Sequence, residues 1–345
     1  MKEVQVSKGL KTVIHDVPIP EPAPDQVVIR VVVSGSNPKD WKMPELIPRY
    51  NANSGDDIAG IVHSIGSNVW EFKPGDRVAS FHEMMTPGGS FAEYAVGWQH
   101  TTFHIPHNIS FEQAATIPLA AMTAAIGLQQ RLGLPDPWTP ATQPTPLVVY
   151  GGAGAVGAYV IKLAQLANVH PIIAVAGRGE HFVASLLDRS KGDAVVDYRG
   201  GPDAVVTGIR AALRGAKLHY AFDAVSEHGS YTNIVQVLEP DGHITLVLPG
   251  RQYEGIPATV HQTITNVGEA HKGDKAFAYV MFRYFAKGLA EGWFAPHPHE
   301  VVPGGLEGVQ TGLRYLAEGK ASAVKYVFRI GQEEEEEEED GKGKL

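Results

Sequence analysis

Cysteine is absent from all 345 residues, which excludes disulfides, thiolate nucleophiles and every cysteine-ligated zinc or iron–sulfur site. Long apolar runs are missing too: no window of about 18 uncharged apolar residues occurs, and residues 1–11 hold no apolar stretch long enough for a signal peptide. A cytoplasmic protein with no membrane partner is expected. Positive charge is scarce, with 29 Lys and Arg against 38 Asp and Glu and a net charge of −9. Residues 333–345 alone hold seven Glu and one Asp against two Lys, a net −6, which leaves the rest near −3. Such a body, with no basic stripe interleaved with aromatics, offers nothing to neutralise a phosphate backbone, so nucleic acid is not an expected partner.

What is abundant points elsewhere. Hydrophobic residues make up 43% and the chain carries 38 Gly and 24 Pro, a composition suited to many strands, tight turns and close backbone approaches to a ligand. The length predicts two domains of α/β type. Short apolar runs at 27–33, 58–65 and 78–81, separated by Pro-Gly-Asp or Gly-Ser-Asn, predict the strands of a small, partly closed barrel. From Ser110, placed as an N-cap, the spacing turns helical through 119–128. Five prolines between Pro135 and Pro146 predict a surface connection. Strands at 147–150, 171–176, 194–197, 220–224 and 243–248 then alternate with helices at 156–168, 181–187 and 231–238, the pattern of a doubly wound parallel sheet. The run after Gln332 has no apolar face and is expected to be a disordered, solvated tail.

The strongest local signal is the strand 147–150 running into Gly151-Gly152-Ala153-Gly154-Ala155-Val156-Gly157. In this Gly-x-Gly-x-x-Gly turn Gly152 is expected to permit the tight turn, Gly154 to let a pyrophosphate approach the backbone and Gly157 to let helix and strand pack closely. The helix start would then present unpaired N–H groups to phosphates. A dinucleotide site follows. The second strand ends at Ala176-Gly177-Arg178-Gly179 rather than at an acidic residue. A guanidinium suits the extra phosphate of NADPH where a carboxylate would repel it, and Glu180 falls late, at the start of the next helix. The expected cofactor is NADPH.

The order of motifs resembles the zinc-free, quinone-oxidoreductase-like branch of the medium-chain dehydrogenase/reductase superfamily, and among its members the fungal trans-acting enoyl reductases. The resemblance rests on residues 36–42 (Ser-Asn-Pro-Lys-Asp-Trp-Lys), 57–60, 73–78 and 89–94, then 151–157, 194–198, 222–225 and 304–309. It implies a GroES-like β-barrel catalytic domain formed by 1–121 and a return segment 266–331, with a Rossmann domain at 122–265 inserted between them and the tail at 332–345. It implies cofactor contacts from Asp40, Trp41, Lys42, Thr123, the turn 152–157, Arg178, Gly179, Glu180, His181, Tyr198, Leu248, Pro249, Val327 and Phe328. Relatives usually carry Ser where Arg178 stands and Asn where His181 stands. Zinc-dependent members need a Cys and a Gly-His-Glu where this chain has Ser36 and Gly55-Asp56-Asp57, so no metal is expected. His297 and His299, two apart in a Pro-rich loop, have poor ligand spacing.

Without zinc, the chemistry implied is hydride delivery from NADPH to the activated double bond of a small enoyl, enone or quinone substrate, free or carrier-bound. Lys42 is the first candidate to orient the nicotinamide ribose or to stabilise oxyanion charge, Thr123 to hold the carboxamide edge, and Tyr50 to donate a proton. Three readings stay open: a trans-acting enoyl reductase of a polyketide or secondary-metabolite pathway, a quinone or enone reductase, and a non-catalytic NADPH-binding protein. The number of subunits is open as well.

Overall fold

The computed structural model describes residues 1–332; the expectation of a disordered acidic tail lies outside the described residues. The run Gln26–Gly35 is buried along almost its whole length because it is the centre of the first large sheet. It pairs antiparallel with Asp57–Ile65, Tyr94–Trp98 and Lys325–Arg329. Register shifts between Val28 and Ile29 and between Val31 and Val33 bend it, as bulges do in barrels. Strands Arg77–Phe81 and Thr102–His104 extend this sheet on one side, and His299–Val301 lies beyond Lys325–Arg329 on the other. Strands from 299–329 therefore share a sheet with strands from 26–104. A smaller sheet of Lys2–Ser7, Lys11–Asp16 and Asn51–Ala52 lies apart from it.

Between these segments the chain builds a six-stranded sheet in the spatial order Ala194–Asp197, Ile172–Ala176, Leu147–Tyr150, Tyr220–Asp223, His243–Leu246, His261–Ile264. Every pair in it is parallel. This 3-2-1-4-5-6 order reverses at Leu147–Tyr150, and ligands of such sheets bind outside the carboxyl ends of the strands at that point. The Pro-rich connection is irregular as expected and is pinned by Ala141 N–H to Ala167 O at 2.8 Å and Thr145 N–H to His170 O at 2.7 Å.

Several elements escaped the apolar spacing. Helix Pro38–Leu46 has a polar, mixed surface, Pro202–Leu213 is amphipathic over 12 residues, and Lys275–Glu291 runs for 17 residues with Ala278, Met281, Phe282, Phe285 and Leu289 buried. The expected helix at 231–238 is only Ser230–Ile234, ending in turns before Pro240, where a helix would lose a hydrogen bond. Helix Pro118–Ala125 passes into a π-helical stretch, Ile126–Arg131. The continuous segment Phe111–Arg131 is apolar and long enough to cross a membrane, yet 94% of its 18-residue apolar window is buried inside the protein, which makes it a core segment. One apolar cluster runs from Val33 and Phe81 in the barrel through Ile117 and Met122 to Leu147, Tyr159 and Phe282, so the two sheets share a core.

Candidate active site

The glycine turn forms the floor. Gly151, not Gly152, takes the left-handed conformation, at φ +82°, so the tight turn belongs one residue earlier than expected. Gly152 is instead buried, with Ile161 and Ala174 a little over 3 Å from where a Cβ would be, so it serves packing. At Gly157 a Cβ would stand 2.3 Å from Gly151 O, so helix and strand do pack through it. At Gly154 it would meet only Gly151 O, at 3.5 Å. The protein itself does not require glycine there; the missing side chain keeps the exposed rim of the turn open. Gly154 is also the N-cap of helix Ala155–Leu166 and supplies no side-chain acceptor, so the N–H groups of the first turn keep their anion-binding capacity. These features fit the pyrophosphate of a dinucleotide.

Neighbours flank this floor on both sides. Gly179 lies against Ala153 and Ala323, where a Cβ would come within 2.5 Å and 3.3 Å. Arg178 is exposed beside it and donates from Nη2 to Gly319 O at 2.5 Å. The Tyr198 ring covers Gly177, and 46% of Tyr198 remains exposed. His181 is exposed, and Glu180 faces Arg199 at 3.7 Å; Arg199 in turn grips Asp197 at 2.6 Å. On the other flank, Val225 and Ala224 abut Gly151. Leu248 and Pro249 follow the strand His243–Leu246, and this segment is tied to the same loop by Val247 N–H to Ser226 Oγ at 2.9 Å. Beyond it Lys42, on helix Pro38–Leu46, forms an ion pair with Glu227 and lies 5.5 Å from the Trp41 ring centroid.

Three expected contacts, Val327, Phe328 and Asp40, are placed differently. Val327 and Phe328 are 0% exposed: Val327 lies in the shared core, and the Phe328 ring packs edge-on against Phe91 at 5.5 Å. Their backbones are committed to Gly35 and Ser34, so residues 319–323 of the return segment, and not 327–328, border the groove. Asp40 is 0% exposed and accepts from Asn37 N–H at 2.7 Å while pairing with Lys39 at 3.0 Å, so its carboxylate serves the helix start rather than a ligand. Thr123 is 5% exposed and its hydroxyl donates to Leu119 O at 2.7 Å, one turn back along its own helix.

Where zinc-dependent relatives keep their metal ligands, this chain has internal partners. Ser36 Oγ donates to Tyr326 O at 2.8 Å. Asp57 accepts from Leu119 N–H and Asn37 Nδ2 at 2.7 Å each and pairs with buried Lys325 at 2.5 Å. Asp56 accepts from His82 Nδ1 at 2.9 Å and pairs with Lys39. Burial works against charge on Lys39, but Asp40 and Asp56 outweigh it and hold the ammonium above the ordinary lysine range. Burial likewise opposes charge on Asp56, yet Lys39 and His82 bring that carboxyl below its usual range. One ammonium does not offset two buried carboxylates, and Asp40 takes the deficit: burial pushes it up to about 7. Tyr50, 7% exposed, is pushed by burial up to about 12 even with Lys39 pulling the other way. Among the described residues no group of three or more His, Asp or Glu could hold a metal ion.

Sequence reasoning missed Glu227, Arg251 and Arg199. Their signal is positional: each follows a parallel strand at its carboxyl end, where such sheets bind ligands.

Comparison with known proteins fits this geometry. Residues 23–107 match the alcohol dehydrogenase GroES-like domain. Over 312 residues, 89% of this chain and 92% of the relative, the sequence is 48% identical to the trans-enoyl reductase fsr4 of Gibberella fujikuroi. The chain belongs to the fungal trans-enoyl reductases of the medium-chain dehydrogenase/reductase superfamily. Among solved structures, the CurK enoyl reductase superposes with a TM-score of 0.77 at 20% identity, covering 94% of this chain and 98% of that one. An alcohol dehydrogenase superfamily protein from Novosphingobium aromaticivorans gives 0.78 at 21% identity, covering 96% and 100%. At such identities these two structures support the fold of the trans-enoyl reductase, a nicotinamide-dependent oxidoreductase architecture.

Proposed function

We propose that this trans-enoyl reductase is a cytoplasmic, zinc-independent enzyme that uses NADPH to reduce an activated C=C bond of an enoyl substrate, carrier-bound, in a polyketide or related secondary-metabolite pathway. The observation that carries this reading is the arrangement around the uncapped helix start at Gly154, with Arg178 and Tyr198 beside Gly177 to Gly179 on one flank and, on the other, the loop after Val225 that carries Glu227, the partner of Lys42. In it Gly152 to Gly157 would hold the pyrophosphate, Arg178 and Tyr198 the 2′-phosphate, with His181 and Glu180 at its edge. Lys42, Trp41, Leu248 and Pro249 would surround the nicotinamide ribose. NADPH bound there would supply hydride to the β-carbon of the substrate.

The chain's own residues would do the rest. The Lys42 ammonium orients the ribose and offsets charge on the substrate oxygen. Tyr50 keeps its proton at neutral pH, as its burial requires, and lies where the charges of Lys39, Asp40 and Asp56 act on it, which makes it the candidate proton donor. Thr123, already bonded along its helix, contributes its remaining acceptor capacity at the carboxamide edge. A lysine ammonium beside Asp56 makes a second cation at that carboxylate unfavourable, which supports zinc independence. The division into 1–121 with 266–331 and 122–265 is retained on the same reading.

The test is NADPH oxidation by the metal-analysed protein with an enoyl thioester, a quinone and a simple enone. Turnover of the thioester with less than stoichiometric zinc is the expected result. Preference for the quinone would select the alternative reductase, and binding without turnover of any acceptor a non-catalytic role. Essential bound zinc would overturn the metal-free reading.

A further inference from the structure

Lys42 reaches the groove on a flexible four-carbon stem, and a lysine in that position is useful only if something fixes it. Its partner is Glu227, 185 residues away on the parallel-sheet side of the cleft. The two carboxylate oxygens are divided: Oε2 meets Lys42 Nζ, and Oε1 accepts from Arg251 Nη1 at 3.1 Å. Both members of the Lys42–Glu227 pair are largely shielded, with side chains 16% and 25% exposed, so water screens it less than a surface pair.

The loop that presents Glu227 is strained and firmly held. Ser226 and His228 have φ of +57° and +54°, a region non-glycine residues enter at a cost, and Gly229 follows at +80°. Asp223, at the end of its strand, over-determines this conformation. Its Oδ1 accepts from the N–H groups of Val225 and Ser226 at 3.0 and 2.8 Å, and its Oδ2 accepts from Ser230 Oγ at 2.5 Å. The Ser226 hydroxyl donates to Asp223 O at 2.9 Å and accepts from Val247 N–H at 2.9 Å. Strained backbone that persists under so many constraints concentrates at sites where a side chain must be aimed. Here the aimed side chain is Glu227, and what it points at is Lys42.

We propose that Glu227, braced by Arg251, is a positioning residue that fixes the Lys42 ammonium at the end of the groove away from Arg178 and so presents it to the bound cofactor. The inference rests on the NADPH groove described above. Lys42 has three N–H donors; with one engaged by Glu227, two remain for a ligand, already oriented. The same contact ties helix Pro38–Leu46 to the loop 224–230.

The experiment is NADPH titration of the full chain by fluorescence, with melting of the unliganded protein recorded in parallel. Glu227→Gln should weaken NADPH binding about five- to tenfold, on the scale of one net hydrogen bond, with the melting temperature nearly unchanged. Glu227→Asp should recover part of the loss. Arg251→Gln, which frees Oε1, should cost about two- to threefold by the same reasoning. In a Lys42→Ala background, Glu227→Gln should have no further effect, because the two act as one unit. Equal losses in both backgrounds, or tighter binding after Glu227→Gln, would overturn the proposal, as would a lowered melting temperature with unchanged affinity. These outcomes differ from failure of the groove reading: in that case the unmodified chain binds no NADPH, or Lys42→Ala leaves its affinity untouched.

Discussion

The glycine turn at 151–157 and the ionic cluster of Lys39, Asp40, Asp56 and His82 dispose of their polar groups in opposite ways. At the turn, Gly154 leaves the first N–H groups of its helix without a side-chain acceptor and the space above them open. In the cluster, each charge meets another side chain: Lys39 faces two carboxylates, and Asp56 is gripped by Lys39 and His82. Polarity that the protein does not itself consume is what a ligand can use. Concentrated charge alone, however well it matches the position of a metal site in relatives, marks structure when its members satisfy one another.

Breaking the closed cluster should have the largest effect. Lys39→Met leaves Asp40 and Asp56 buried without their cation, and such uncompensated charge typically costs about 3–5 kcal/mol. Denaturant titration measures it; a loss below about 1 kcal/mol would mean that the cluster is not the closed unit drawn above. At the open end, Arg178→Ala should weaken NADPH by about 1.5–3 kcal/mol and leave NADH nearly untouched, since only NADPH carries the phosphate the guanidinium would meet. Competitive titration of the two cofactors reads this, and equal losses would assign Arg178 to its contact with Gly319 instead.

His297 sharpens the contrast, because it is buried with neither ring nitrogen bonded and belongs to neither kind of site. Burial, with Lys162 and Lys325 adding to it, lowers its pKa to about 3. The unfolded chain therefore takes up a proton below about pH 6.5 that the folded chain refuses, and stability present at neutral pH is lost as the pH falls. His297→Phe should remove of order 2 kcal/mol of the loss between pH 7 and pH 5, measured by denaturation at both; an unchanged slope would locate the acid sensitivity in His100 or His271, whose pKa values burial also depresses.

The smallest effect on the fold should come from Gly154→Ala. Its Cβ meets nothing closer than 3.5 Å, so the unliganded protein should lose less than about 1 kcal/mol. NADPH affinity should nonetheless fall about tenfold as the methyl group enters the open rim. Gly157→Ala, by contrast, should lower both, because its Cβ collides with Gly151 O. If both substitutions behave alike, the turn is a packing feature and not a cradle.

Local chemistry determined much of this protein from the sequence alone. Apolar runs set five of the six parallel strands, missing the polar His261–Ile264, glycine spacing set the turn, and the absence of cysteine removed the thiolate ligands, because each depends on neighbours a few residues away. The order of those strands was legible only through the resemblance of the motifs. Tertiary structure decided the pairings between distant residues. Nothing near Lys42 names Glu227 as its partner, and nothing in residues 325–329 reveals that Val327 and Phe328 face the core while Gly319 and Ala323 border the groove. Nor does the sequence show that Asp40 is spent on Asn37 and Lys39, or that Gly151 and not Gly152 takes the positive φ. Which polar group is left for a ligand depends on which others are satisfied first, and that is settled by packing between segments that the chain keeps far apart.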